Sequence, residues 1–176
     1  MHNSVKRKEC GGYSLIDLIV SIAIFGMIAG SVVINFRAGS RSDSVRQGAQ
    51  VLASVLRRAQ TSTLSGAEIA GGSFPQGGFG VRLDSADAST VLLFADSDGN
   101  GVYTDSGELL EEVRLRGDAQ FNVVGSLDVV FTPPDADVLF NGLATEASRQ
   151  LNISAAGTDT TKAVIVYRVS GQIRVQ

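Results

Sequence analysis

The segment Asp96-Ser97-Asp98-Gly99-Asn100-Gly101 opens the most chemical-looking stretch of the chain, which continues through Asp105 to Glu108. Two aspartates and an asparagine at alternate positions, closed by glycine, fit the opening of a calcium loop, D-x-D-x-N-G. Calcium gathers several hard oxygens at short range, and the glycine permits the sharp turn that brings them together. The match then fails at a defined point. An EF-hand places a bidentate Glu at the twelfth loop position, but that position is Gly107 and Glu108 comes one residue late. The flanks also look like strands rather than helices. Two readings stand: a hairpin loop that holds calcium through Asp96, Asp98, Asn100 and Asp105 or Glu108, or a metal-free turn, since Asp, Asn and Gly dominate turns for conformational reasons alone.

A second carboxylate stands out by its surroundings. Leu15 to Ile34 is a run of 20 residues of which 19 are uncharged, and the exception is Asp17. A helix of that length spans about 30 Å, one hydrocarbon core. A carboxylate there costs about 2.5–3.5 kcal/mol on insertion scales, so it calls for a function and a named partner. Just before the run stands Met1 to Gly12, a short basic stretch carrying Lys6, Arg7, Lys8 and Glu9 and ending in Gly11-Gly12. A secretory signal is cut after its apolar region, at small residues; here the small pair precedes it. Cutting after Gly12 would give Tyr13 a free α-amino group four residues from Asp17, and the amine of a neighbouring subunit could then partner the acid. Lys6, Arg7 and Lys8 place the N-terminus in the cytoplasm by the positive-inside rule and the remainder outside.

Other chemistry has little to work with. The chain has one cysteine, Cys10, and one histidine, His2, both ahead of the apolar run. That excludes a disulfide scaffold and a Cys/His metal site. It also leaves Ser/His/Asp or Cys/His catalysis without pre-positioned partners. No catalytic residue is assigned, and the chain is not expected to be an enzyme. Residues 67–176 carry seven basic and fifteen acidic groups, net −8, against net +2 for residues 1–12 and +3 for 13–66. An acidic head argues against general phosphate binding and hence against nucleic acid as a partner.

With the basic leader, Gly12, Tyr13, Asp17 and the apolar run Leu18–Gly26 in place, the N-terminus resembles that of type IV pilins and type II secretion pseudopilins. That family has Gly before the cut, an aromatic residue or Met after it and an acidic residue at mature position five. Here Tyr13 stands for the usual Phe and Asp17 for the usual Glu. The segments Ser54–Leu64, Gly78–Val81, Leu92–Leu110 and Val164–Val175 further resemble minor pilins and pseudopilins of the FimT/GspH type. The resemblance implies removal of a leader, residues 1–12, by prepilin peptidase and N-methylation of Tyr13. It also implies assembly with other pilin or pseudopilin subunits on an inner-membrane platform, into a type IV pilus or a type II secretion pseudopilus. The subunit would sit in the lipid bilayer of the inner membrane before assembly. Some FimT-like pilins capture DNA through a Gly-Arg-x-Arg pattern near the C-terminus. The matching positions here are Gly171, Gln172, Ile173 and Arg174, so one of the two arginines is lost and DNA capture stands as the alternative reading.

These groups need elements to position them. Val45, Ala49, Leu52, Val55, Leu56, Ala59 and Leu64 recur at steps of three and four, an apolar helical stripe. No proline interrupts residues 13–66, so the pattern predicts one helix over about 13–65, loosened at Gly39-Ser40 and stopped at Gly66. Residues 13–36 would be the membrane or filament-core part and 37–66 the amphipathic continuation. Beyond, the helical period vanishes. Strands are expected at Gly78–Leu83, Val91–Ala95, Glu111–Leu115, Leu127–Phe131, Gln150–Ser154, Ala163–Val169 and Gln172–Val175, the last two joined as a hairpin at Ser170-Gly171. The expected fold class is α+β and pilin-like: a long N-terminal helix packed on an antiparallel β-rich head, residues 67–176.

Overall fold

The computed structural model describes residues 15–69 and 71–176. The leader, Gly12 and Tyr13 lie outside them. Among the described residues the fold is α+β: one long helix, α1 (Leu15–Leu64), then nine strands, all paired antiparallel. The chain divides into two compact units at Arg37 and Ala38.

In the first unit, Leu15–Val32 has mean hydropathy 2.3 and buries none of its residues. Its large apolar side chains, from Leu15 and Ile16 to Ile28 and Val32, are exposed. That stretch is long and apolar enough to cross a membrane.

In the second unit, α1 is the spine of the head. It is helical straight through Gly39-Ser40, where loosening was expected; a single helical glycine costs only about 1 kcal/mol, and the Ser44 hydroxyl bonds back to the Ser40 carbonyl at 3.0 Å. Val45, Ala49, Leu52, Val55, Leu56 and Ala59 are buried as the stripe predicts, but Leu64 is exposed and Thr63 takes its place inside. The reason is rotation: 45, 49, 52, 56, 59 and 63 follow steps of four and three, and residue 64 lies about 100° off that line. The helix ends in a Schellman motif. The Ala67 N–H reaches the Ser62 carbonyl at 2.9 Å and the Gly66 N–H reaches Thr63 at 3.1 Å. Gly66 takes φ +57°, a conformation that favours glycine there.

Two sheets pack with this helix around one core. The first is five-stranded, in the order β3 (Leu109–Arg114), β2 (Asp87–Asp96), β1 (Gly78–Asp84), β5 (Ser126–Thr132), β6 (Asp137–Phe140). The second is four-stranded, in the order β4 (Ala119–Asn122), β7 (Ser148–Ala155), β8 (Thr161–Tyr167), β9 (Ile173–Val175). Alternation sets the inner faces: Phe79, Val81, Leu83, Leu93, Val129 and Phe131 from the first, and Leu151, Ile153, Val164 and Val166 from the second, join Leu52 and Leu56 of α1. Each fully buried Leu or Val contributes about 1.5–3 kcal/mol.

Seven strands overlap their predicted spans. The two not anticipated, β4 and β6, have four residues each. AQFN and DVLF are too short to show alternation above background, and both lie beside turn-forming residues. The expected Ala163–Val169 stops at Tyr167, because Arg168 begins the turn that returns to β9.

Candidate functional site

The acidic loop connects β2 to β3 and begins inside the sheet. Asp96 is the last residue of β2 and is fully buried, directly after the buried run Leu93–Ala95. Its Oδ1 accepts the N–H of Gly99 at 2.8 Å and of Asn100 at 3.2 Å, and its Oδ2 accepts the N–H of Gly101 at 2.8 Å. A carboxylate offers about four acceptor sites, and three of these hold the backbone of the loop. Burial is the main cause that pushes the Asp96 carboxyl above the ordinary carboxylate range; the adjacent Asp98 adds to it, while the Gly101 and Gly99 N–H groups oppose it.

Glu108 closes the other end. It is buried, and its Oε1 accepts the Ser97 N–H at 3.1 Å while Oε2 accepts the Thr104 N–H at 2.9 Å. Asp98 is exposed; it takes the Asn100 N–H at 3.1 Å and the Asn100 amide at 2.7 Å. The structure thus brings Asp96, Asp98 and Glu108 together, with one oxygen of each within 4.8 Å of the others. Asp105 lies outside that trio, its Oδ1 taken by the Gly107 N–H at 2.6 Å, and the Asn100 side-chain oxygen turns to the Val102 N–H at 2.8 Å. As a cation site the arrangement offers three carboxylates whose lone pairs are largely committed. As a clamp it is complete: Asp96 and Glu108 between them gather five backbone N–H groups.

What the clamp positions is Tyr103. Its ring meets Phe94 edge-on, centroids 5.4 Å apart, and the Arg82 guanidinium lies 5.5 Å from the Tyr103 centroid. Phe94 and Val130 belong to the outward face of the five-stranded sheet yet are fully buried, so this side is covered. Beneath them Arg82 pairs with Asp128 at 3.2 Å. Burial raises the Asp128 carboxyl above its ordinary value against the pull of Arg82 and the Tyr103 N–H.

Sequence reasoning missed three parts of this arrangement. Gly77 carries no unusual dihedral, but a Cβ on it would fall on the Asp96 carboxylate, so only glycine fits. Asp128 carried a legible signal, a lone carboxylate within the apolar run of β5. Thr63 carried none. Its hydroxyl accepts the Phe79 N–H at 3.0 Å, and its one hydrogen serves the carbonyl of Phe131, 3.0 Å away, or of Ala59, at 3.1 Å, which ties α1 to β1 and β5.

The remaining predicted positions lie elsewhere. Asp17 is exposed on α1, in the first unit. Arg174 is exposed on β9, opposite Ile165 of β8. No family model matches the chain, and neither a curated protein nor a solved structure matches it.

Proposed function

We propose that this chain is a structural subunit of a pilin-type filament, a minor pilin or pseudopilin, anchored in the cytoplasmic membrane with its head outside until it is assembled. One observation carries the reading. A single helix begins as an exposed apolar span in which Asp17 is the sole charge and continues, within the same α1, as the buried spine of an α+β head. A membrane anchor alone has no use for Asp17. In a filament, the acid offers a counter-charge to the amine freed at Tyr13 of a neighbouring subunit, and desolvation in the apolar core makes that pair decisive for register.

The acidic loop enters this reading as a clamp that closes the β2–β3 connection over the sheet. Its carboxylates accept backbone N–H groups, which supports the clamp over a calcium loop.

Co-expression with a prepilin peptidase, followed by N-terminal sequencing of the membrane fraction, tests the proposal. The expected product starts at Tyr13. An uncleaved chain, or a start at any other residue, overturns it. Substituting Asp17→Asn should leave cleavage intact and abolish incorporation into filaments.

A further inference from the structure

A recess opens in the head where the chain crosses from one sheet to the other. β4 ends at Asn122, opposite Asn152 of β7, and residues 123–125 lead away to β5 in the first sheet. β7 begins at Ser148, so its first residues run past the end of β4. Register fixes what they present. Arg168 donates its N–H to the Ala147 carbonyl at 3.0 Å, so Ala147 and the odd-numbered residues of β7 turn their backbone polar groups toward β8. The even-numbered ones, Gln150 and Asn152, turn theirs to the β4 side. Asn152 meets Asn122 there. Gln150 meets no strand, and among the described residues its N–H and C=O have no backbone partner. An open edge of this kind accepts an added strand.

Beside that edge lies a cavity of about 280 Å³, to which Leu127 and Leu151 give an apolar lining and Asn122, Asn141 and Arg149 bring hydrogen-bonding groups; no carboxylate lines it. The Asn141 Oδ1 is held by the Asp128 N–H at 2.7 Å, which leaves its NH2 as the free end. Arg149 stands out. Glu146 Oε2 lies 3.2 Å from its Nε, close enough for charge attraction. The Nε N–H is not aimed at that oxygen, and it is buried without a hydrogen-bond partner. A buried donor in that state calls for an acceptor. Donors therefore outnumber acceptors around the cavity, and one of them is a guanidinium, whose fork matches a carboxylate. We infer that this recess binds the C-terminal residue of an extended peptide. The terminal carboxylate sits on Arg149, the last side chain rests on Leu127 and Leu151, and the peptide backbone pairs with Gln150 on the open edge of β7. Three features together select this ligand. Residues 67–176 are net −8, so a free anion is not drawn to the head at large and needs further contacts to be held. The open edge supplies them only to an extended backbone. The cavity is smaller than the 300–1,000 Å³ or so of drug-sized sites, which suits one terminal residue. The inference concerns the head alone and does not rest on the filament reading.

The test titrates the full chain in detergent micelles with an N-acetylated peptide ending Ala-Ala-Val, read by calorimetry. A Kd of about 0.1 mM is expected. The same peptide with a C-terminal amide should bind about tenfold more weakly, because it cannot carry the charge that Arg149 meets. Methylating the peptide nitrogens one at a time should cost about tenfold at the nitrogen that faces Gln150 and little at its neighbours, since strand pairing alternates. These arms leave the protein untouched, so they stand whether or not a variant folds. Among variants, Arg149→Gln should weaken binding about tenfold, and Glu146→Gln should tighten it about threefold by removing the competing carboxylate. Arg174→Gln, exposed on β9, should stay within about twofold of native and so separates a local contact from general electrostatics. Equal affinity for the acid and the amide overturns the carboxylate contact and the inference with it. Indifference to every methylation, or acetate or phosphate binding as tightly as the peptide, reduces the recess to an anion site and overturns the peptide as its ligand. Absence of binding up to about 5 mM peptide overturns the inference outright.

Discussion

Truncating the buried carboxylate, Asp96→Ala, probes the clamp most directly. Three backbone N–H groups lose their acceptor, those of Gly99, Asn100 and Gly101. They do not lose equally. Gly99 and Asn100 are exposed and can turn to water, while Gly101 is buried and its N–H is orphaned. An orphaned buried donor costs about 1–3 kcal/mol, and each bond exchanged for water about 0.5–1.5 kcal/mol. Against this stands relief of the desolvation that raises the Asp96 pKa. The expected net loss is about 2–4 kcal/mol, which in a head of this size lowers Tm by about 5–15 °C. Thermal unfolding of the full chain in detergent, followed by far-ultraviolet circular dichroism for the sheets and near-ultraviolet for Tyr103, reads it. The control is Asp98→Ala, whose exposed carboxylate accepts from the Asn100 N–H and side-chain amide; it should cost less than about 0.5 kcal/mol. A loss under about 1 kcal/mol for Asp96→Ala, or equal losses for the two variants, refutes the clamp.

Three further outcomes follow from the same contacts. Calcium at about 5 mM should leave the native Tm unchanged; a site with a Kd of about 0.1 mM would add about 2.3 kcal/mol, so a rise of several degrees that Asp98→Ala removes would make the loop a calcium site. Thr63→Val keeps the shape of the side chain but orphans the Phe79 N–H, and chemical denaturation should show a loss of about 1–3 kcal/mol with an unchanged m-value. For Asp128 the folded-state pKa lies above the unfolded one, so the folded state binds the extra proton. Stability from this group is therefore present at low pH and falls as pH rises from about 3.9 through the raised value. The stability of the native chain relative to Asp128→Asn should decline across that window and be flat above it; a rise would reverse the sign of the shift.

Much of the fold was legible because it repeats with a period. The steps of three and four from Val45 to Ala59 specify which side of α1 faces inward, and Val81, Leu83, Val91 and Leu93 announce strands by alternation and β-branching. Gly66 marks the helix stop because a left-handed residue is required there. The four-residue strands β4 and β6 were not legible, since a segment that short becomes a strand only by pairing with β7 and β5. Leu64 was misplaced for a related reason: the sequence shows a stripe but not where its rotation runs out.

The candidate site divides along the same line. Residue types alone mark Asp17 as an acid within an apolar run, and Asp96 to Glu108 as an acidic glycine loop, because both are local patterns. Whether the loop's oxygens face a cation or backbone N–H groups depends on where the chain between them goes, and that is a three-dimensional property. Gly77 lies far from Asp96 in sequence yet must remain small because the two meet. Strand pairing is tertiary in the same sense: β4 joins β7, β8 and β9 across the intervening β5 and β6, a partnership that no local pattern announces. The sequence by itself determined the apolar span, the helix and the net acidity, which depend on neighbours along the chain; the tertiary structure decided which carboxylates are buried and which glycines are obligatory, because those depend on neighbours in space.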